Sequence, residues 1–142
     1  MHIKNAQPYR DQIIGLLTAE KLPADDLPQS LTHFIAAVQD DNLAGAVGLE
    51  IYGNHALLRS MVVSLAYRGK GVAGELLTQL ETMAHAKSIK EIYLLTETAP
   101  DYFARKGYQT ITRQDVPEPV QQSSEFSYAC PQSAIVMKKN IK

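Results

Sequence analysis

The sequence predicts an α+β domain built on a mixed sheet, in which an antiparallel meander is followed by a βαβ unit and helices cover both faces. Three observations carry this. Three strand-like runs follow one another across tight turns between His33 and Val63. A glycine-led amphipathic helix comes next, and then the nearly all-apolar run EIYLLT, Glu91–Thr96. A strand–helix–strand order of this kind implies a parallel pair joined by a right-handed crossover, here between Ala56–Val63 and Glu91–Thr96.

In chain order, MHIKNA reads as a short first strand. Pro8 at a helix start, with apolar Ile13, Ile14, Leu16 and Leu17, predicts a helix ending near Lys21. LPADDLP breaks it, and Leu27–Leu31 is expected to form a second short helix. HFIAAVQD and NLAGAVGLEIY read as strands joined by a turn at Asp40–Asn42, and Gly53–Asn54 as a tight hairpin into ALLRSMVV. From Gly71 to Lys87, Val72, Ala73, Leu76, Leu77, Leu80, Met83 and Ala84 recur at helical spacing as one apolar stripe. EIYLLT is apolar on both faces, as a central strand must be. APDYFARKGY predicts a short helix stopped by Gly107. YQTITR and SAIVMKK are final strands flanking the Pro-rich stretch Val116–Pro131.

Bulk properties bound the function. A chain of 142 residues, 45% hydrophobic and 20% charged, is expected to form a single domain over 1–142 with one core. The formal net charge of -1 gives no global attraction to nucleic acid or to an acidic membrane surface, so any anion site must be local. The lone Cys130 makes no internal disulfide, and no Cys/His pair has zinc-ligand spacing, so no metal is expected. With a polar N-terminus unlike a signal peptide and no spanning apolar run, the expected location is the cytoplasm. A homodimer is left open.

The stretch YRGKGVAGELL, Tyr67–Leu77, sets three glycines, Arg68 and Lys70 directly before a helix. A helix N-terminus carries unpaired N–H groups and a partial positive charge, and glycines let the preceding backbone curl around an anion. An unliganded turn would look the same by itself. A triphosphate loop needs Gly-Lys-Ser/Thr, whereas Lys70 is followed by Gly71 and Val72. Gly69–Gly74, GKGVAG, matches the glycine spacing of a dinucleotide fingerprint but follows a meander rather than opening a βαβ repeat.

MVVSLAYRGKGVAGELLTQLETMA resembles the cofactor motif of the GNAT (Gcn5-related) N-acetyltransferases, Arg/Gln-x-x-Gly-x-Gly/Ala between strand and helix. Here it reads Arg68-Gly69-Lys70-Gly71-Val72-Ala73. The element order is similar to that of the family, and APDYFARKGY stands where the family has A-x-x-F-Y-E-K-x-G-F. The stretches GLEIYGNHALLRSMVV, YLLTETAPDYFARKGY and EFSYACPQSAIVMKK resemble the branch of that family found with arsenic-resistance genes. The resemblance implies an acyl-CoA N-acyltransferase fold and acetyl-CoA as cosubstrate. Its pyrophosphate would lie on Arg68 and the N–H groups of Gly69, Lys70, Gly71, Val72, Ala73 and Gly74, and its pantetheine arm along Met61, Val62 and Val63. It implies acetylation of a small-molecule amine, an amino acid or amino-acid-like compound. Acetylation of a protein and a non-catalytic CoA-binding module are the alternatives.

The family's proton-donating tyrosine falls on Phe103, which would line the cofactor, with Tyr102 in the slot before it as the candidate acid or as a packing residue. Hairpin arithmetic puts Glu50 opposite Leu57 and Gly48 opposite Arg59, so Glu50 and Arg59 are diagonal neighbours on one sheet face. Two charges within apolar strands are costly unless paired or used. Either they form a structural ion pair, or Arg59 holds a substrate carboxylate while Glu50 holds or deprotonates the amine. Thr96 and Glu97, with Thr98, stand at a strand end, where polar groups line sites or cap loops. His33 and His55 read as structural or exposed, and Cys130 as a small buried hydrophobe.

Overall fold

The computed structural model describes residues 1–123, 126 and 134–141. Among the described residues seven strands form one sheet: β1 (His2–Asn5), β2 (Phe34–Gln39), β3 (Asn42–Tyr52), β4 (His55–Val63), β5 (Glu91–Thr96), β6 (Gln109–Ile111) and β7 (Ile135–Asn140). Their order is β1-β2-β3-β4-β5-β7-β6. Among the described residues four α-helices join them: α1 (Arg10–Ala19), α2 (Val72–Ala86), α3 (Pro100–Arg105) and α4 (Glu118–Gln121). β4 and β5 run parallel, with His55 opposite Glu91 and Leu57 opposite Tyr93, whereas β5–β7 and β6–β7 are antiparallel. The expected mixed sheet is therefore present.

The chain forms two compact units, 1–49 with 60–83 and 50–59 with 84–142. In the first, β2 and β3 meet at a two-residue turn in which Asp40 and Asp41 both take positive φ, 50° and 63°. Aspartate tolerates that region because its short side chain bonds locally, and such turns match the strand twist. Ile13 and Leu17 of α1 are fully buried with Phe34, Ala36 and Val38 of β2, Ala46 of β3 and Val62 of β4. The α2 stripe is buried at Val72, Leu76, Leu77, Leu80 and Ala84; each such leucine contributes about 1.5–3 kcal/mol relative to an exposed one.

The short helix expected at Leu27–Leu31 does not form. Arg10 donates from Nε to the Pro28 carbonyl and from Nη2 to the Leu27 carbonyl, both at 2.9 Å. Gln7 accepts the Leu31 N–H at 2.6 Å and donates to the Gln29 carbonyl at 3.0 Å. Side chains thus satisfy the backbone groups that a helix would have paired internally, while Leu27 and Leu31 still enter the core.

The second unit packs Leu57, Tyr93, Val116, Val120, Phe126 and Val136 together. The strand expected over YQTITR is limited to Gln109–Ile111, because Thr112 caps a 3-10 turn at Arg113–Asp115 through a reciprocal bond with Asp115. The Pro-rich segment contains α4, which buries Val120. The reading of Cys130 falls outside the described residues.

Candidate active site

In the first unit the glycine-rich stretch forms the junction from β4 into α2. A 3-10 turn at Leu65–Tyr67 leaves β4, and Arg68, Gly69, Lys70 and Gly71 follow as exposed backbone. Gly69 and Gly71 have φ of 77° and 81°, and a Cβ on either would meet nothing within 4 Å. Glycine is required there for its dihedral freedom rather than for space. The first hydrogen bond into α2 runs from the Glu75 N–H to the Gly71 carbonyl, at 3.1 Å. The N–H groups of Val72, Ala73 and Gly74 therefore precede the helical ladder and stand at its positive end. Such an end of a 15-residue helix can hold a phosphate or pyrophosphate.

Two cations flank this end. Arg68 donates from Nε to the Val63 carbonyl at 3.2 Å and pairs through Nη2 with Glu20. Lys70 Nζ lies 5.8 Å from the centre of the Tyr67 ring. In β4, Ser60 takes φ of 59°, a kink within an extended strand, just before Met61, Val62 and Val63. Val62 points into the core at 5% exposure, and Met61 and Val63 on either side are half-buried. Gly45 of β3 was not singled out from the sequence, yet it sets this geometry. A Cβ there would lie 2.7 Å from the Val62 carbonyl oxygen, 3.1 Å from Leu76 and 3.3 Å from Val72. A glycine in the middle of a strand is the one signal that marks such a close approach.

The second unit holds a polar cluster. Arg59 Nη1 donates to Glu50 Oε2 at 2.7 Å, and Tyr52 Oη donates to Glu50 Oε1 at 2.7 Å. The two strand charges expected to meet do so. The Arg59 side chain is fully buried, whereas that of Glu50 keeps 18% of its surface in solvent. A buried guanidinium needs a carboxylate partner, and the solvent-facing member of the pair is the acid. Burial first, and then the hydrogen bond and charge of Glu50, raise the Tyr52 hydroxyl well above the usual tyrosine range; Ser123 and the Arg59 charge act the other way. Tyr52 was missed from the sequence because an aromatic at a strand end reads as cross-strand packing.

Around α3, Phe103 is buried and stacks edge-on with Tyr102 and Tyr108, at centroid distances of 5.4 and 5.6 Å. The Tyr102 hydroxyl is buried and has no hydrogen-bond partner among the described residues. Burial raises its pKa, with Arg105 opposing. Thr96 accepts the Ala99 N–H at 3.0 Å, a loop cap, and Glu97 and Thr98 are exposed. His55 Nδ1 lies 2.5 Å from Glu91 Oε1, across the β4–β5 ladder.

Together, a mixed seven-stranded sheet with an open helix N-terminus following its fourth strand defines an acyl-CoA N-acyltransferase-type fold. The acetyltransferase (GNAT) family model matches residues 6–110, and the chain belongs to that family of N-acetyltransferases. Comparison with curated proteins finds no match. Among solved structures the chain is similar to N-acetylglutamate synthase from Neisseria gonorrhoeae complexed with coenzyme A and N-acetyl-glutamate, at 17% identity and TM-score 0.83. That likeness covers 99% of this chain but 35% of the synthase, so the chain spans about a third of it. It is also similar to Rv2747 from Mycobacterium tuberculosis, in complex with CoA, at 20% identity and TM-score 0.85, with both chains covered in full. An acetyltransferase of the GNAT family from Staphylococcus aureus matches at 21% identity and TM-score 0.76, over 99% of each chain. At these identities the likeness shows the fold. No helix among the described residues is long and apolar enough to cross a membrane.

Proposed function

We propose that residues 1–142 act as one acetyltransferase domain that moves the acetyl group of acetyl-CoA to the amine of a small molecule, an amino acid or amino-acid-like compound. The observation that carries the reading is the open N-terminus of α2 behind two positive-φ glycines, in a chain of this family. Val72, Ala73 and Gly74 present N–H groups to the pyrophosphate, with those of Gly69, Lys70 and Gly71 before them, and Arg68 and Lys70 flank it. Met61, Val62 and Val63 offer a strand edge to the pantetheine arm, and Phe103 an apolar surface to the cofactor. Acetyl transfer requires a neutral amine, a polarised thioester carbonyl and a proton for the leaving thiolate.

In this reading Glu50 receives the amine, since it is the member of the buried pair that reaches solvent. Arg59, with its guanidinium enclosed, holds the carboxylate of Glu50; a role in gripping a substrate carboxylate would require the pair to open. Tyr102 supplies the proton to sulfur, its buried hydroxyl being without an acceptor among the described residues. Thr96 and Glu97 frame the acceptor side. The synthase crystallised with N-acetyl-glutamate supports an amino-acid acceptor, and the likeness of several stretches to the arsenic-resistance branch adds arsenic-containing amino acids to the candidates.

A second reading has one observation in its favour. Phe103 fills the family's tyrosine position and cannot donate a proton, which suits a CoA-binding module without turnover. Mass spectrometry of products formed from acetyl-CoA and a panel of amino acids, arsenic-containing analogues, polyamines and lysine peptides separates the two. An acetylated small amine is expected. Tight acetyl-CoA binding with no acetylated product from any of them establishes the module instead.

A further inference from the structure

We propose that Tyr52 is a positioning residue for the acceptor site: by donating to Glu50 Oε1 while Arg59 holds Oε2, it fixes the plane of the carboxylate that meets the amine. This rests on the reading of Glu50 as the amine-binding group.

Glu50 and Tyr52 are two residues apart on β3 and so project from the same face. A glutamate side chain has three rotatable bonds, and one anchor leaves its carboxylate free to turn about that contact. Two donors at 2.7 Å, one on each oxygen, remove that freedom. Each oxygen then retains lone-pair capacity for a further donor, which is the place for an amine. The Tyr52 hydroxyl is itself held. Its ring packs against the cluster of Leu57, Tyr93, Val116 and Val120, so the position of the oxygen is set by the core. Ser123, 4% exposed just beyond α4, stands beside the same hydroxyl and acts to lower its pKa. A packing tyrosine would need none of this.

Tyr52→Phe keeps the ring and removes the hydrogen bond. Rates of thiol release from acetyl-CoA, with the twenty standard amino acids as acceptors, give the acceptor and cofactor constants separately. Tyr52→Phe should lower kcat/KM for the best acceptor about tenfold, the weight of one hydrogen bond to a charged group. The KM for acetyl-CoA and the thermal midpoint should stay near wild type. Ser123→Ala should reduce the same acceptor constant by a smaller factor, about threefold, and serves if Tyr52→Phe does not fold. In a Glu50→Gln background, Tyr52→Phe should add nothing. Wild-type acceptor kinetics in Tyr52→Phe, with Glu50→Gln impaired, overturn this proposal alone. Parallel losses in both substrates' constants and in stability also overturn it, since they mark a merely structural role. Wild-type kinetics in Glu50→Gln, or no amino-acid turnover by the wild type, overturn the reading beneath it.

Discussion

At the scale of single residues, the Glu50–Arg59 pair concentrates stability and, in the proposed reading, chemistry. Removing one partner of a buried ion pair costs more than the pair contributes, because the other is left desolvated and uncompensated. Here the guanidinium is fully enclosed and the acid partly solvated, so the two truncations differ. Arg59→Ala loses a buried volume and leaves Glu50 able to find water; a loss of about 3 kcal/mol is expected, read from urea unfolding. Glu50→Gln retains volume and an acceptor oxygen but removes the counter-charge that Glu50 sets against the enclosed Arg59 guanidinium, so it should cost at least as much stability as Arg59→Ala and should also lower turnover. The pairing was legible from hairpin arithmetic, because a two-residue turn at Gly53–Asn54 fixes which residues face one another. Which member of the pair would be enclosed was not legible, since burial depends on what packs over the strands. Tyr52 escaped for the same reason: only the packed structure distinguishes a ring that fills space from a ring that delivers a hydroxyl.

At the scale of elements, the β4–α2 junction is held by backbone conformation on one side and close approach on the other. Gly71→Ala adds a methyl into open space but forces an L-residue to φ near 81°, at about 1–2 kcal/mol. If the junction relaxes to avoid that strain, acetyl-CoA affinity falls while the core stays intact, which calorimetric titration with acetyl-CoA would show. Gly45→Ala acts differently. Its Cβ would meet the Val62 carbonyl at 2.7 Å, so β3 or the first turn of α2 must shift, at about 1–3 kcal/mol; thermal unfolding measures it. The strong periodicity of α2 and the apolar run of β5 made those elements readable in advance. Leu27–Leu31 was misread because its apolar spacing suits a helix, while the competing hydrogen bonds come from Gln7 and Arg10, far along the chain. α4 was missed because prolines around it suppress any helical pattern, although Pro is welcome in a first turn.

For the whole molecule, alkaline pH is the expected weakness. Tyr52, Tyr93 and Tyr102 all have hydroxyls raised above 10.0, each chiefly by burial. Below about pH 10 folded and unfolded chains both keep these protons, and the contribution to stability is complete. Above it, the unfolded chain releases protons that the folded chain retains, so stability falls as pH climbs toward the folded values. The urea midpoint should drop as pH rises from about 10 toward the folded values, and Tyr52→Phe should blunt the fall. The central claim, acetyl transfer from acetyl-CoA to an amine received by Glu50, is tested most directly by thiol release in the presence and absence of amino-acid acceptors, for wild type and Glu50→Gln. The account predicts amine-dependent release by the wild type, reduced at least about a hundredfold in Glu50→Gln, with acetyl-CoA binding preserved. Release that never depends on an amine, or that is equal in both proteins, would contradict it.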